Sequence, residues 1–108
     1  GSKTYDNMLK KETPTPLLPI NTIMDAVEGF TSIPFEVVKT RNAQKQISTA
    51  RGLYAAALIK YGKMEFVDVC DLIGRTQNAI ATIITRVRKE PEWSGLEKLL
   101  KELMIESN

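Results

Sequence analysis

The side chains with the most chemistry on offer are Arg75, Thr76, Gln77 and Asn78, which follow Gly74 in one unbroken run. Glutamine and asparagine amides pair bidentately with the N6 and N7 edge of adenine, and each good pair discriminates against a wrong base by about 1–3 kcal/mol. A guanidinium such as that of Arg75 suits a phosphate. A second set, Arg41 and Lys45, lies in the polar stretch 40–45, which has no apolar stripe to bury it. That stretch reads either as a solvated loop, the usual state of exposed Lys and Arg, or as a phosphate-gripping loop ahead of a helix. The polar run after Gly74 also has a plainer reading, because Thr76 and Asn78 are both fair helix N-caps.

Residues 65–89 supply the elements that would position the first set. Phe66, Val69, Cys70 and Ile73 mark one apolar stripe, Gly74 breaks the pattern, and Ile80, Ile83, Ile84 and Val87 mark a second. Two helices joined by a glycine turn form a helix-turn-helix, glycine taking φ > 0 without steric cost so that the second helix leaves at a steep angle. With the isoleucines inward, the outer face carries Gln77, Asn78, Ala81, Thr82, Thr85, Arg86 and Arg88. Thr82 and Arg86 would then lie over a nucleic-acid groove or its flanking backbone, although a solvated helix face accounts for them nearly as well.

The remaining elements follow from the same rules. Pro14, Pro16 and Pro19 make residues 1–19 an extended arm rather than a helix, with Tyr5, Met8 and Leu9 able to form one helical turn, and residues 20–108 make a single domain. A first helix starts at Asn21 or Thr22, either of which can cap it, and ends at Phe30, with Ile23, Ala26, Val27 and Phe30 on its apolar face. Pro34 opens a short helix ending near Lys39, with Phe35 and Val38 inward. From about Gln46 to Tyr61 a long helix places Ile47, Ala50, Tyr54, Ala57, Leu58 and Tyr61 on one face, and its alanines allow close packing, which makes it the central helix. Arg51 borders that stripe, and a structural ion pair or helix-end cap is preferred for it over a DNA contact. Gly62 supplies the stop. Pro91 ends or kinks the second helix of the helix-turn-helix, and a last helix from Glu92 to Ile105 turns Trp93, Leu96, Leu99, Leu100 and Leu103 to the body.

Composition bounds the function. The 108 residues suffice for one modest core, and no run approaches the roughly 18 apolar residues of a membrane span, which implies a soluble, cytoplasmic protein without a membrane partner. One cysteine, Cys70, permits no internal disulfide and reads as a core residue, and without histidine there is no His-based zinc site or general base. No glycine-rich phosphate loop or nucleophile-base pair is present, so neither a cofactor nor an enzyme is expected. The formal charge is only +2, but residues 34–62 hold five Lys/Arg against one Asp/Glu while 91–108 hold two against four, so positive charge gathers mid-chain. The opening Gly-Ser is typical of a tag remnant, and the chain reads as a piece of a longer protein.

The order of these pieces resembles a known family. From Ile23 to about Leu103, some three quarters of the chain, it is similar to the C-terminal DNA-binding domain of the bacterial replication initiator DnaA, within the Trp-repressor-like helical superfamily. The residues that carry the likeness are the run from Ile23 to Val27 in the opening helix, the basic loop from Arg41 to Lys45, Ala50-Arg51 leading to Tyr54-Ala55-Ala56-Ala57-Leu58, and Gly74-Arg75. In the family, glycine and arginine are followed by Asp, His, Ser or Thr, then Thr, which read bases. Here those positions hold Thr76, Gln77, Asn78 and Ala79, and the loop is a residue longer.

The resemblance implies an all-α bundle of five to six helices with a helix-turn-helix, and double-stranded DNA as partner, in replication, transposition or phage biology. Arg41, Lys45 and Arg75 match the family in kind and are expected on phosphates, with Gln77 and Asn78 at bases. The competing reading is a protein-interaction domain that kept the fold and lost the base-reading residues, docking a partner by the arm or by the Trp93 to Leu103 helix. Oligomeric state is left open by the sequence.

Overall fold

The computed structural model describes residues 15–107, and over them the protein is a bundle of helices with no strand. In chain order the elements are α1 (Ile20–Thr31), α2 (Phe35–Val38), α3 (Lys45–Lys60), α4 (Phe66–Ile73), α5 (Gln77–Val87) and α6 (Pro91–Ser107). Among the described residues no helix is long and apolar enough to cross a membrane. Tyr5, Met8 and Leu9 lie outside the described residues.

Helix α3 is the axis of the fold, and α1, α2, α4, α5 and α6 all pack on it. Its burial departs from the one-sided stripe expected of it: every residue from Thr49 to Leu58 is buried. The cause is the small side chains Ala50, Gly52, Ala55, Ala56 and Ala57, which let neighbours approach from all sides, as in any helix without a solvent face. Gly52 is the tightest crossing. A Cβ there would sit 2.7 Å from Val87 Cγ1 and closer still to Ile83 Cγ2, so glycine is what seats α5 against α3.

Other boundaries also moved. Pro19, not Asn21 or Thr22, precedes α1, whose buried stripe is Ile23 and Val27; Phe30 continues that stripe but lies in the last turn of the helix, at the edge of the core, and is 39% exposed. Pro34 is the N-cap of α2 rather than its first residue. The left-handed residue after α3 is Lys63 (φ 56°) in place of Gly62. Pro91 begins α6 instead of breaking α5, which has already ended at Val87; proline's fixed φ and missing N–H suit a first helical position. The proline arm is not wholly outside the body, since Leu18 is buried and the Leu17 and Leu18 N–H groups both donate to the Tyr61 carbonyl, at 2.8 and 3.2 Å.

Trp93, Leu96 and Leu100 enter the core from α6. A polar clasp ties this helix to the end of α3, where Lys60 Nζ lies 2.5 Å and Tyr61 Oη 2.8 Å from Glu97 Oε2. Burial by itself would raise the Glu97 carboxyl, but hydrogen bonds from Lys60 and Tyr61, with the charges of Lys60 and Lys101, outweigh it and hold the group below its ordinary value. Burial first, and then the hydrogen bond to Glu97, pushes the Tyr61 phenol up.

Candidate functional site

The turn between α4 and α5 has the geometry its sequence requires. Gly74 takes φ 81° and its N–H donates to the Cys70 carbonyl at 2.8 Å, closing α4 in a left-handed cap. Val69, Cys70 and Ile73 are buried on one side, and Ile80, Ile84 and Val87 on the other, with Ile83 half-buried against Gly52. Burial pushes the Cys70 thiol up, as for an inert core cysteine.

The start of α5 separates the two roles its polar residues were weighed for. Thr76 is the N-cap, its Oγ1 accepting from the Ala79 N–H at 3.2 Å. Asn78 therefore does not cap, and Gln77 and Asn78 both stand exposed on the first turn. Further along the same face, the exposed Thr82 and Thr85 hydroxyls donate back to the Asn78 and Ala81 carbonyls, each at 2.9 Å. Arg86 turns toward α3, donating from Nη2 to Ser48 Oγ at 3.2 Å, and its Nε lies 3.7 Å from Glu90 Oε1. It thus braces α5 on α3 while remaining partly open to solvent.

The loop from Lys39 to Gln44 is built, not slack. Thr40 Oγ1 donates to the Val37 carbonyl at 2.6 Å, and Asn42 Oδ1 accepts from the Gln44 N–H at 2.9 Å, an Asx turn that delivers the chain into α3. Beneath it lies Arg51, 4% exposed. Its Nε donates to the Val38 carbonyl at 2.7 Å, and its Nη2 to the carbonyls of Thr40 at 3.0 Å and Asn42 at 3.1 Å. Arg51 is thus a cap for the end of α2 and a clamp on the loop, and no carboxylate pairs with it among the described residues. Burial, and then the nearby charge of Arg75, lowers its pKa.

Arg75 joins the two halves of the site. One of its Nη groups donates to the Thr40 carbonyl, the same oxygen that Arg51 holds, and the other to the Gly74 carbonyl at 3.3 Å. Expected only as a phosphate ligand, Arg75 is half-buried and engaged within the molecule. Its bridge brings the loop that carries Arg41 beside the turn that carries Gln77. Arg41 and Lys45 are exposed, and neither forms an ion pair among the described residues. The residues missed from sequence are Thr40 and Asn42, which shape the loop; the pattern Thr-x-Asn-x-Gln ahead of a helix was the available signal, since both types make local turns.

Chemically, the assembled surface offers solvent-facing amides at the start of one helix, the cation of Arg41 in an adjoining loop, and the opening turn of α3, which begins with the exposed Lys45 and whose N-cap Gln44 makes no side-chain capping bond. Orphan N–H groups and cations favour anions, and the amides can read hydrogen-bonding edges. No family model, no curated protein and no solved structure matches this chain.

Proposed function

We propose that this chain is a duplex-DNA-binding module in which α5 enters the major groove by its first turns and the loop carrying Arg41 grips the adjoining backbone. The observation that carries the reading is the Arg75 bridge to Thr40, which keeps the basic loop and the exposed amides of α5 on one side of the molecule. Phosphate contacts from Arg41 and Lys45, with the open part of the Arg75 guanidinium, supply affinity without sequence preference. Gln77 and Asn78 supply base reading, with adenine as the partner their amides fit best. Thr82 and Arg86 flank that contact further along the helix. The likeness to the replication initiator's DNA-binding domain supports the same class of partner, and a parent protein in replication, transposition or phage biology would give the module its context. The altered base-reading residues make the target a different sequence from the initiator's own.

The test is fluorescence anisotropy with random duplex DNA and with a site selected from a random pool. Arg41→Ala and Arg75→Ala should weaken binding to both DNAs alike, while Gln77→Ala should narrow the gap between them by about tenfold, the worth of one amide-base pair. An unchanged gap rules out base reading by Gln77. No binding to either DNA leaves the alternative of an interaction domain on the same fold, which would have to use a surface other than Trp93, Leu96 and Leu100, since these are buried.

A further inference from the structure

Resting on the duplex-DNA reading of α5, we infer that the second and third turns of this helix present a row of methyl groups, from Ala81, Thr82 and Thr85, that contacts the C5-methyl groups of thymine. The target is therefore a short run of A·T pairs.

Helical spacing sets the row. At roughly 100° per residue, Gln77, Ala81 and Thr85 follow one another at i, i+4 and i+8, and Asn78 and Thr82 make a parallel row at i and i+4. These residues are all exposed, while Ile80, Ile84 and Val87 turn to the core. The outer face thus opens with two amides and continues with three small side chains. A rise of about 1.5 Å per residue puts Thr85 about 12 Å beyond Gln77, the span of about three to four base-pair steps.

What the threonines offer follows from their hydrogen bonds. A hydroxyl has a single hydrogen, and those of Thr82 and Thr85 are committed to the carbonyls of Asn78 and Ala81, both at 2.9 Å. Neither side chain can donate to a base without giving up that bond. Holding Oγ1 against the preceding turn also restricts χ1, and the methyl is then the group each threonine has free for a partner. Ala81 has nothing but its methyl. Alanine and threonine methyls are suited to apolar contact with the thymine C5-methyl in the major groove. An A·T pair shows its adenine N6 and N7 edge and its thymine methyl in that same groove, so the amides and the methyl row select one kind of base pair. Arg86, the guanidinium within α5 that would choose guanine, is turned instead toward Ser48 Oγ at 3.2 Å.

The test uses the site selected from a random pool, synthesised as a duplex with thymine or with uracil, which differs by the C5-methyl alone. Anisotropy should show binding about fourfold weaker for each contacted thymine replaced, with the salt slope unchanged because the phosphates are the same. The pair Thr82→Ser, Thr85→Ser keeps both hydroxyls and removes both methyls, and should shrink the difference between the duplexes by about fourfold or more. The pair Thr82→Val, Thr85→Val removes the hydroxyls and keeps the methyls, and should preserve it. Circular dichroism checks that both variants fold. A selected site without an A·T run, equal affinity for the thymine and uracil duplexes, or a difference that survives undiminished in the serine pair or vanishes in the valine pair would overturn the inference and leave DNA binding standing. No binding to any duplex at the lowest salt would instead remove the DNA reading itself, and this inference with it.

Discussion

Replacing Arg51 by methionine tests the site at its foundation. The guanidinium holds three carbonyls, at 2.7, 3.0 and 3.1 Å, and no carboxylate offsets its burial. Two effects of opposite sign compete: removing a buried charge recovers its desolvation cost, while the carbonyls lose their donors. The Thr40 carbonyl keeps Arg75, and the Asn42 carbonyl sits on an exposed residue where water can replace the donor. The Val38 carbonyl belongs to a fully buried residue and is left unpaired, at about 1–3 kcal/mol. With the loop loosened as well, Arg51→Met should cost about 2–4 kcal/mol net, which corresponds to a fall of roughly 10–25 °C in Tm for a domain of this size. Lysine should fare no better, since a point charge on a flexible stem cannot serve three diverging acceptors as the planar fork does. Urea denaturation reads the change as a shifted midpoint at constant slope. A methionine variant within about 0.5 kcal/mol of the parent would show that desolvation cancels the clamp, and Arg51 would lose its role in shaping the loop.

Gly52→Ala should destabilise by about 1–2 kcal/mol despite alanine's better helix propensity, because the new methyl meets the stiff β-branched side chains Ile83 and Val87; an unchanged denaturation midpoint would refute the close crossing. Thr76→Ala should cost about 1 kcal/mol through loss of the N-cap, whereas Asn78→Ala should leave stability unaltered, and urea midpoints for the pair would reverse if Asn78 were the cap. The lowered Glu97 pKa stabilises the fold at pH values above the carboxyl's ordinary 4.5, and this contribution is lost as pH falls through the folded-state value. The stability gap between the parent and Glu97→Gln should therefore be widest near neutral pH and shrink as pH falls below the carboxyl's ordinary 4.5 and through its lower folded-state value, and a gap independent of pH would contradict the clasp.

The α4-turn-α5 unit was legible because its causes are local. A 3.6-residue stripe, a glycine and a second stripe need no partner to be recognised, and Gly74 adopts the positive φ that its position demands. Thr76 as cap was equally visible, though composition could not choose between it and Asn78. What could not be read is what depends on distant backbone. Arg51 was expected to find an ion pair or cap a helix end, and the cap is what it forms, but the acceptors are carbonyls nine to thirteen residues away that no side chain announces. Gly52 carries no local signal of its role, which is set by α5 lying across it. Phe30 fits the apolar spacing of α1 yet emerges from the core, because periodicity marks a stripe without saying where the neighbouring helix ends. Proline at 91 satisfies both the rule for stopping one helix and the rule for starting another, and only the early end of α5 decides between them.

The most direct measurement of DNA binding is the affinity for random duplex DNA across a salt series. If Arg41, Lys45 and Arg75 neutralise two to three phosphates as proposed, log K falls linearly with log salt concentration at a slope of about −2 to −3, and Arg41→Ala should make that slope shallower by about 1. A slope indifferent to Arg41, or no binding at the lowest salt, would mean that the surface shared by this loop and α5 does not engage the DNA backbone.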